Sequence, residues 1–103
     1  DENRMMVAGA GAIEAIVSGM ELHLGAKRLQ ECGLELLLKL CAHKKCRARL
    51  AACGGIEAIV AGMTWYLEMS SMQQMGSIVL YNVASSDDIT ARVVEAGGVE
   101  AIV

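Results

Sequence analysis

Residues 54–60 of the chain read GGIEAIV, and nearly the same seven residues occur as GAIEAIV at 11–17 and as GGVEAIV at 97–103, so successive copies start 43 residues apart. A fixed period of about 20–50 residues is typical of a solenoid, in which stacked supersecondary units bury a shared core. The spacing predicts two full copies, at about residues 1–43 and 44–86, and a partial third copy at about 87–103.

Composition predicts an all-α fold, because the apolar residues are mainly helix formers and the chain has no Pro and no Phe. The apolar runs are far shorter than the roughly 20 residues needed to cross a bilayer, and the first residues, DENR, do not resemble a signal peptide. We expect a soluble cytoplasmic protein, with the nucleus as a second compartment. The net charge of −3 gives no general attraction to nucleic acid or to a membrane.

Each copy is predicted to contain three helices. The first helix covers residues 1–10, 44–53 and 87–96, with SSDD at 85–88 as a start signal, and it ends at a glycine (Gly11, Gly54 or Gly97) that can take the left-handed conformation. The second helix follows at once, and its apolar period fades after about residues 22 and 65. Trp65 and Tyr66 would pack at the end of this helix or line the rim of the loop that follows it. A glutamate recurs in its first turn, where a carboxylate favours the helix dipole. Those glutamates are Glu14, Glu57 and Glu100.

Apolar stripes in the second and third helices predict the core. In the second helix the stripe is Ile13, Ile16, Val17 and Met20 in one copy and Ile56, Ile59, Val60 and Met63 in the other. The third helix, at about 26–42 and 70–84, would bury Leu29, Cys32, Gly33, Leu36, Leu37 and Leu40 in one copy and Met72, Met75, Gly76, Val79, Leu80 and Val83 in the other. The glycine that recurs inside this helix predicts a close helix-to-helix approach.

Four cysteines have apolar counterparts 43 residues on, which favours small core positions over disulfides. They are Cys32, Cys41, Cys46 and Cys53, and their counterparts are Met75, Ala84, Ile89 and Ala96. The alternative is a zinc cluster of Cys41, His43, Cys46 and Cys53, whose spacing matches no standard finger. We therefore expect no metal and no cofactor.

The period, the glycine turn before GGIEAIV, and a long third helix ending in LYNVA at 80–84 resemble the armadillo repeat family over the whole chain. HEAT repeats share the period range but more often carry proline kinks. The resemblance implies a right-handed superhelix with three helices per repeat, whose third helices line a concave groove that binds an extended or helical partner segment. Asn82 matches the family's peptide-binding asparagine. Ile78 stands where the family's tryptophan would be, which argues against binding of basic peptides between tryptophans as in nuclear import.

The face of the third helix that lies off the core stripe is the predicted partner-binding groove. Its residues are Lys27, Glu31, Leu34, Glu35, Leu38 and Lys39 in the first copy, and Gln74, Ser77, Ile78, Tyr81 and Asn82 in the second. The alternative interpretation is that Glu35 and Lys39 form an i, i+4 ion pair and that the leucines contact the neighbouring repeat.

No catalytic arrangement or phosphate loop stands out, so we expect an interaction scaffold and not an enzyme. A purely architectural spacer within a larger protein or assembly is the second hypothesis. The basic stretch at 43–49, HKKCRAR, is a minor alternative as a nucleic-acid contact, but a solvated face fits better because its counterparts are not basic and no aromatic residue is interleaved with it. Solenoid ends need polar caps, so we also expect flanking repeats or self-association through uncapped repeat ends.

Overall fold

The computed structural model describes the backbone of residues 2–84, the side chains of residues 11–84, and residues 94, 95 and 97. Five helices follow one another: α1 Glu2–Leu22, α2 Lys27–Leu40, α3 Lys44–Ala52, α4 Gly55–Trp65 and α5 Ser70–Val83. The predicted all-α class is confirmed, and this part of the chain contains no strand. None of its helices is long and apolar enough to cross a membrane.

Helix boundaries repeat with the 43-residue spacing of the sequence. The helices α2 and α5 begin at Lys27 and Ser70 and have the same length of 14 residues. The preceding helices, α1 and α4, end at the equivalent residues Leu22 and Trp65. The predicted third helices and the predicted ends of the second helices are therefore confirmed in both copies.

One predicted break is wrong, because α1 continues through Gly11. In the second copy α3 and α4 are separated as predicted, and Gly54 lies between them in the left-handed conformation with φ +84°. A Cβ at the following Gly55 would overlap the side chain of Leu50 and lie 2.7 Å from its backbone oxygen, so this turn requires a second glycine. The first copy has Ala12 at that position and cannot form the same turn.

The continuous α1 also changes the role predicted for Glu14, which lies in the middle of a helix and not in its first turn. Its carboxylate pairs with Arg49 of α3. Glu57 lies in the first turn of α4, as predicted. In the third copy Gly97 has φ +84° and residues 94 and 95 are helical, whereas Glu100 and the SSDD start signal at 85–88 lie outside the described residues.

The apolar stripe of the second helix forms the core in both copies. Its fully buried members are Ile13, Val17 and Met20 in α1 and Ile56, Ile59, Val60 and Met63 in α4. The close approach predicted for the two helical glycines is also confirmed. A Cβ at Gly33 would lie 2.9 Å from the sulfur of Met20, and a Cβ at Gly76 would overlap the equivalent Met63. Each third helix is therefore held against its second helix by a methionine seated on a glycine.

The predicted core face of the third helix is confirmed for α5 and only in part for α2, where Gly33 and Leu37 are buried as predicted. In α5 the buried residues are Met72, Gly76, Val79, Leu80 and Val83, with Met75 half-buried. In α2 they are Gln30, Gly33, Leu34 and Leu37. The predicted core residues Leu29, Cys32 and Leu36 of α2 are exposed, and Leu40 is half-buried. The equivalent side of α5 is covered by α2, whereas no described helix covers this side of α2.

The cysteines follow the same division. Cys41 and Cys46 are buried and Cys53 packs partly buried against the core, as predicted, but Cys32 is exposed. All four are free thiols. Burial raises the pKa of Cys41 to about 11, an effect that the nearby Cys46 reinforces and Arg47 opposes. Burial also raises the pKa of Cys53. The two thiols stay protonated at neutral pH.

Candidate functional site

A depression of about 350 Å³ lies between α2 and α5. Its walls are formed by Arg28, Glu31, Cys32 and Glu35 from α2 and by Ser71 and Met75 from α5. We call it the α2–α5 groove. These α2 residues stand at i, i+3, i+4 and i+7 and so lie on one side of the helix, and the two α5 residues are one turn apart. Packing of α2 along α5 brings the two rows together.

The charges of this groove come from one wall only. Two carboxylates, those of Glu31 and Glu35, lie one turn apart on α2, and Arg28 lines the same wall. The α5 wall is neutral. A surface with two carboxylates and one cation favours a ligand that carries positive charge near the carboxylates.

Most of the predicted groove residues are accessible in the structure. Lys27, Glu35, Lys39, Gln74, Ile78 and Tyr81 are exposed, and Glu31, Leu38, Ser77 and Asn82 are half-buried. The exposed fractions of Ile78 and Tyr81 are 47% and 84%, which is high for apolar side chains on a helix that packs on its other faces. Leu34 is fully buried and has no surface to offer a partner. Of the predicted residues, the structure brings Glu31 and Glu35 together in the α2–α5 groove.

The prediction from sequence did not include four residues of the groove: Arg28, Cys32, Ser71 and Met75. Cys32 and Met75 had been placed on the core stripe, and their counterparts in the repeat are each other. A stripe drawn through Arg28, Cys32 and Glu35 at i, i+4 and i+7 would have found this wall of the groove.

A pair of glutamines fixes the third helices that form the groove. The side-chain amide nitrogen of Gln30 donates to the backbone oxygens of Met20 and His23, at 2.9 Å each. In the second copy Gln73 donates to the equivalent oxygens of Met63 and Tyr66, at 2.8 Å and 3.1 Å. Each glutamine therefore ties the start of a third helix to the turn that precedes it. The two glutamines are 43 residues apart, and this spacing is the sequence signal that indicates their shared role.

The basic stretch at 43–49 is partly engaged in contacts within the protein. Arg47 donates to the backbone oxygens of Cys41 and Ala42, at 3.0 Å and 3.2 Å, beyond the last residue of α2. Arg49 pairs with Glu14, and Lys44 and Lys45 are exposed. Cations beside the carboxyl end of a helix stabilise it, as expected for the structural interpretation of this stretch.

A second depression, of about 310 Å³, lies between α1 and α2. Its walls include Ile16, Gly19 and Met20 from α1 and Leu29, Cys32 and Leu36 from α2, and none of the described wall residues is charged. We call it the α1–α2 groove. Elsewhere, the exposed Trp65 at the end of α4 borders an open hollow with Val60 and Thr64.

Among the described residues, no group of three or more His, Cys, Asp or Glu side chains is placed to hold a metal ion. The residues of the zinc alternative, Cys41, His43, Cys46 and Cys53, thus do not form such a group. No family model matches the chain, and neither a curated protein nor a solved structure shows significant similarity to it.

Proposed function

We propose that the chain is an armadillo-type solenoid segment that acts as a scaffold, binding an extended or helical partner segment in the α2–α5 groove. The repeated architecture supports the solenoid part. The helices α2 and α5 have equivalent boundaries, equivalent glycine–methionine contacts and equivalent glutamine hydrogen bonds. Repeated units held by repeated contacts are the organisation of solenoid proteins.

The α2–α5 groove is the single observation that carries the binding role. It runs between two third helices, where a concave surface of such a superhelix would lie, and its carboxylates are accessible. The accessible apolar surface of Ile78 and Tyr81 extends along α5. Exposed aromatic side chains are enriched at protein interfaces. A partner with a Lys or Arg near Glu31 and Glu35 and an apolar residue near Tyr81 fits this pattern.

Selection from a library of displayed random peptides tests the proposal. The full chain serves as target, and the selected peptides are measured again on three variants: Glu35→Lys, Tyr81→Ala and Ile78→Ala. We expect the selected peptides to carry Lys or Arg and to lose about tenfold or more in affinity on Glu35→Lys, because an attractive charge pair becomes a repulsive one. Glu68→Lys, the same charge change at an exposed residue outside the groove, is the matched control.

Folding must be measured beside binding. All three substituted side chains are exposed, so the thermal midpoints should stay within a few degrees of the wild type. Loss of affinity at an unchanged midpoint supports the scaffold. Peptides that bind the three variants as tightly as the wild type would contradict the groove and leave the spacer hypothesis as the better account.

A further inference from the structure

The α1–α2 groove is open at the point where its equivalent in the second copy is closed. A Cβ built at Gly19 meets none of the described atoms within 4 Å. At the equivalent residue, Gly62, a Cβ would lie 2.9 Å from the side-chain oxygen of Gln30. The same surface is thus bare on α1 and covered on α4, although the sequence pattern is the same.

Three apolar wall residues show the same difference in their side chains. Leu29 and Leu36 are 38% and 48% exposed. Their counterparts 43 residues on, Met72 and Val79, are fully buried. Ile16 is half-buried, whereas its counterpart Ile59 has no exposed surface.

The helix that lies over the second-copy surface is α2. It packs along α5 and sets Gln30 against Gly62. Gln30 and Leu34, one turn further along the same face, are fully buried. The side-chain nitrogen of Gln30 donates hydrogen bonds within the first copy. Its side-chain oxygen has no hydrogen-bond partner in the described part of the chain and lies beside Gly62 of the second copy. The second copy therefore shows which kind of helix covers this surface: one that places a glutamine against the glycine and a leucine one turn later.

We propose that the α1–α2 groove binds an amphipathic helix of the same kind as α2, which sets a side-chain amide against Gly19 and places a leucine one turn later in the groove. This surface adjoins the α2–α5 groove at Cys32 and shares no other described wall residue with it, and the inference does not depend on the proposed function. The fit is chemical as well as steric. Walls without charged residues favour an apolar helix face, and the absent Cβ of Gly19 leaves the space that Gln30 uses at Gly62.

The test uses the full reduced chain and a synthetic peptide with the sequence of residues 26–42, in which Cys41 is replaced by Ala. A hydrocarbon staple joins positions 28 and 32, on the helix face opposite Gln30, because an isolated helix of this length is marginal in water. The peptide then contains no thiol. The reaction of Cys32 with a thiol reagent is the readout, since Cys32 lines the α1–α2 groove and is the exposed cysteine of the chain.

We expect saturating peptide to slow the modification of Cys32 by about tenfold or more. A peptide with Gln30→Lys and Leu34→Lys, which lacks the docking face, should leave the rate unchanged. Gly19→Leu in the protein fills the groove and should abolish the protection, and folding is preserved because the site is open. Ser18→Leu is the matched control, since Ser18 is exposed on the same helix and does not line the groove.

Protection by the peptide that is lost in Gly19→Leu and kept in Ser18→Leu supports the proposal. Protection that is equal for both peptides, or unaffected by Gly19→Leu, overturns it, as does a lack of protection at millimolar peptide. Sedimentation of the chain alone tests whether a second copy of the chain occupies the groove. A dimer that is dissociated by Gly19→Leu would show that a second copy covers the groove and would also overturn the assignment.

Discussion

The two copies of the repeat, residues 1–43 and 44–86, follow one sequence pattern but differ in their turns and in what covers them. The second copy bends at Gly54 and buries its third helix against α2, whereas the first copy runs straight through Gly11 and leaves Leu29 and Leu36 accessible. The first difference coincides with Ala12, which stands where the second copy has Gly55 and carries a Cβ that the turn of the second copy does not accommodate. The second difference arises from the neighbouring helix. Local sequence thus decides the turn, while burial depends on what lies alongside.

Gly55→Ala should have the largest effect on stability, because it gives the second copy the alanine that the first copy has as Ala12. The new Cβ would overlap the Leu50 side chain and crowd its backbone oxygen. We expect a loss of about 3 kcal/mol in the free energy of unfolding, at the upper end for overpacking. Urea unfolding followed by circular dichroism measures it.

Gly11→Ala is the control for that substitution. Gly11 lies inside α1 and a Cβ there would meet no described atom within 4 Å, so alanine should stabilise the protein by up to about 1 kcal/mol. If Gly55→Ala unfolded at the wild-type urea concentration, the turn would not require a second glycine and our explanation of the straight α1 would fail.

The two glutamines should differ in their contributions although they make equivalent hydrogen bonds. Gln30 is fully buried and Gln73 is half-buried. Gln30→Ala leaves the oxygens of Met20 and His23 without their donor in a covered site, at a cost of about 2 kcal/mol. Gln73→Ala should cost about 1 kcal/mol, since water can replace the amide. Chemical denaturation of both variants measures the difference.

Gln74→Ala removes a neighbouring, exposed glutamine and should change the free energy of unfolding by less than about 0.5 kcal/mol. Equal losses for Gln30→Ala and Gln73→Ala would mean that coverage by the next helix does not strengthen the first hydrogen-bonded pair.

The sequence predicted the parts of the fold that depend on local pattern. The ends of α2 and α5, the left-handed Gly54 and the close approach at Gly33 and Gly76 all follow from residues that repeat at the same spacing. The break at Gly11 was wrong, although Gly-Ala in place of Gly-Gly was a visible signal.

Burial on α2 and most of the groove walls could not be predicted in the same way. Leu36 and Val79 occupy equivalent positions and have similar side chains, but one is accessible and the other is buried. The identity of these residues does not indicate which helix packs beside each of them. The stripe for α2 therefore placed Cys32 in the core and Leu34 in the groove, and the structure reverses both. Only Glu31 and Glu35 of the predicted site residues line the α2–α5 groove.

The glycine–methionine contacts provide a smaller test of the same difference. In Gly76→Ala the Cβ would overlap Met63, which the second copy encloses, and we expect a net loss of about 1 kcal/mol after the gain in helix propensity. In Gly33→Ala the Met20 sulfur lies beside the open α1–α2 groove and can move, so the net change should be close to zero. Thermal unfolding of the two variants compares them.

A double variant checks the physical reason. Met63→Ala makes room for the new methyl group, so Gly76→Ala should be less costly in that background than in the wild type. If Gly76→Ala were equally costly in both backgrounds, the loss would not come from the methionine contact.

Cys41 should give an effect that appears only in alkali and that its counterpart Ala84, which has no titrating side chain, cannot give. Burial raises the pKa of the Cys41 thiol from 9.0 to about 11, so the folded state holds its proton more tightly than the unfolded chain does. The resulting stabilisation is complete below pH 9 and is lost as the pH rises from about 9 to about 11. Urea midpoints measured with reductant at pH 8 and pH 10 should therefore fall further for the wild type than for Cys41→Ala. Equal falls in the two proteins would mean that the first copy does not shield this thiol, although its side chain is fully buried.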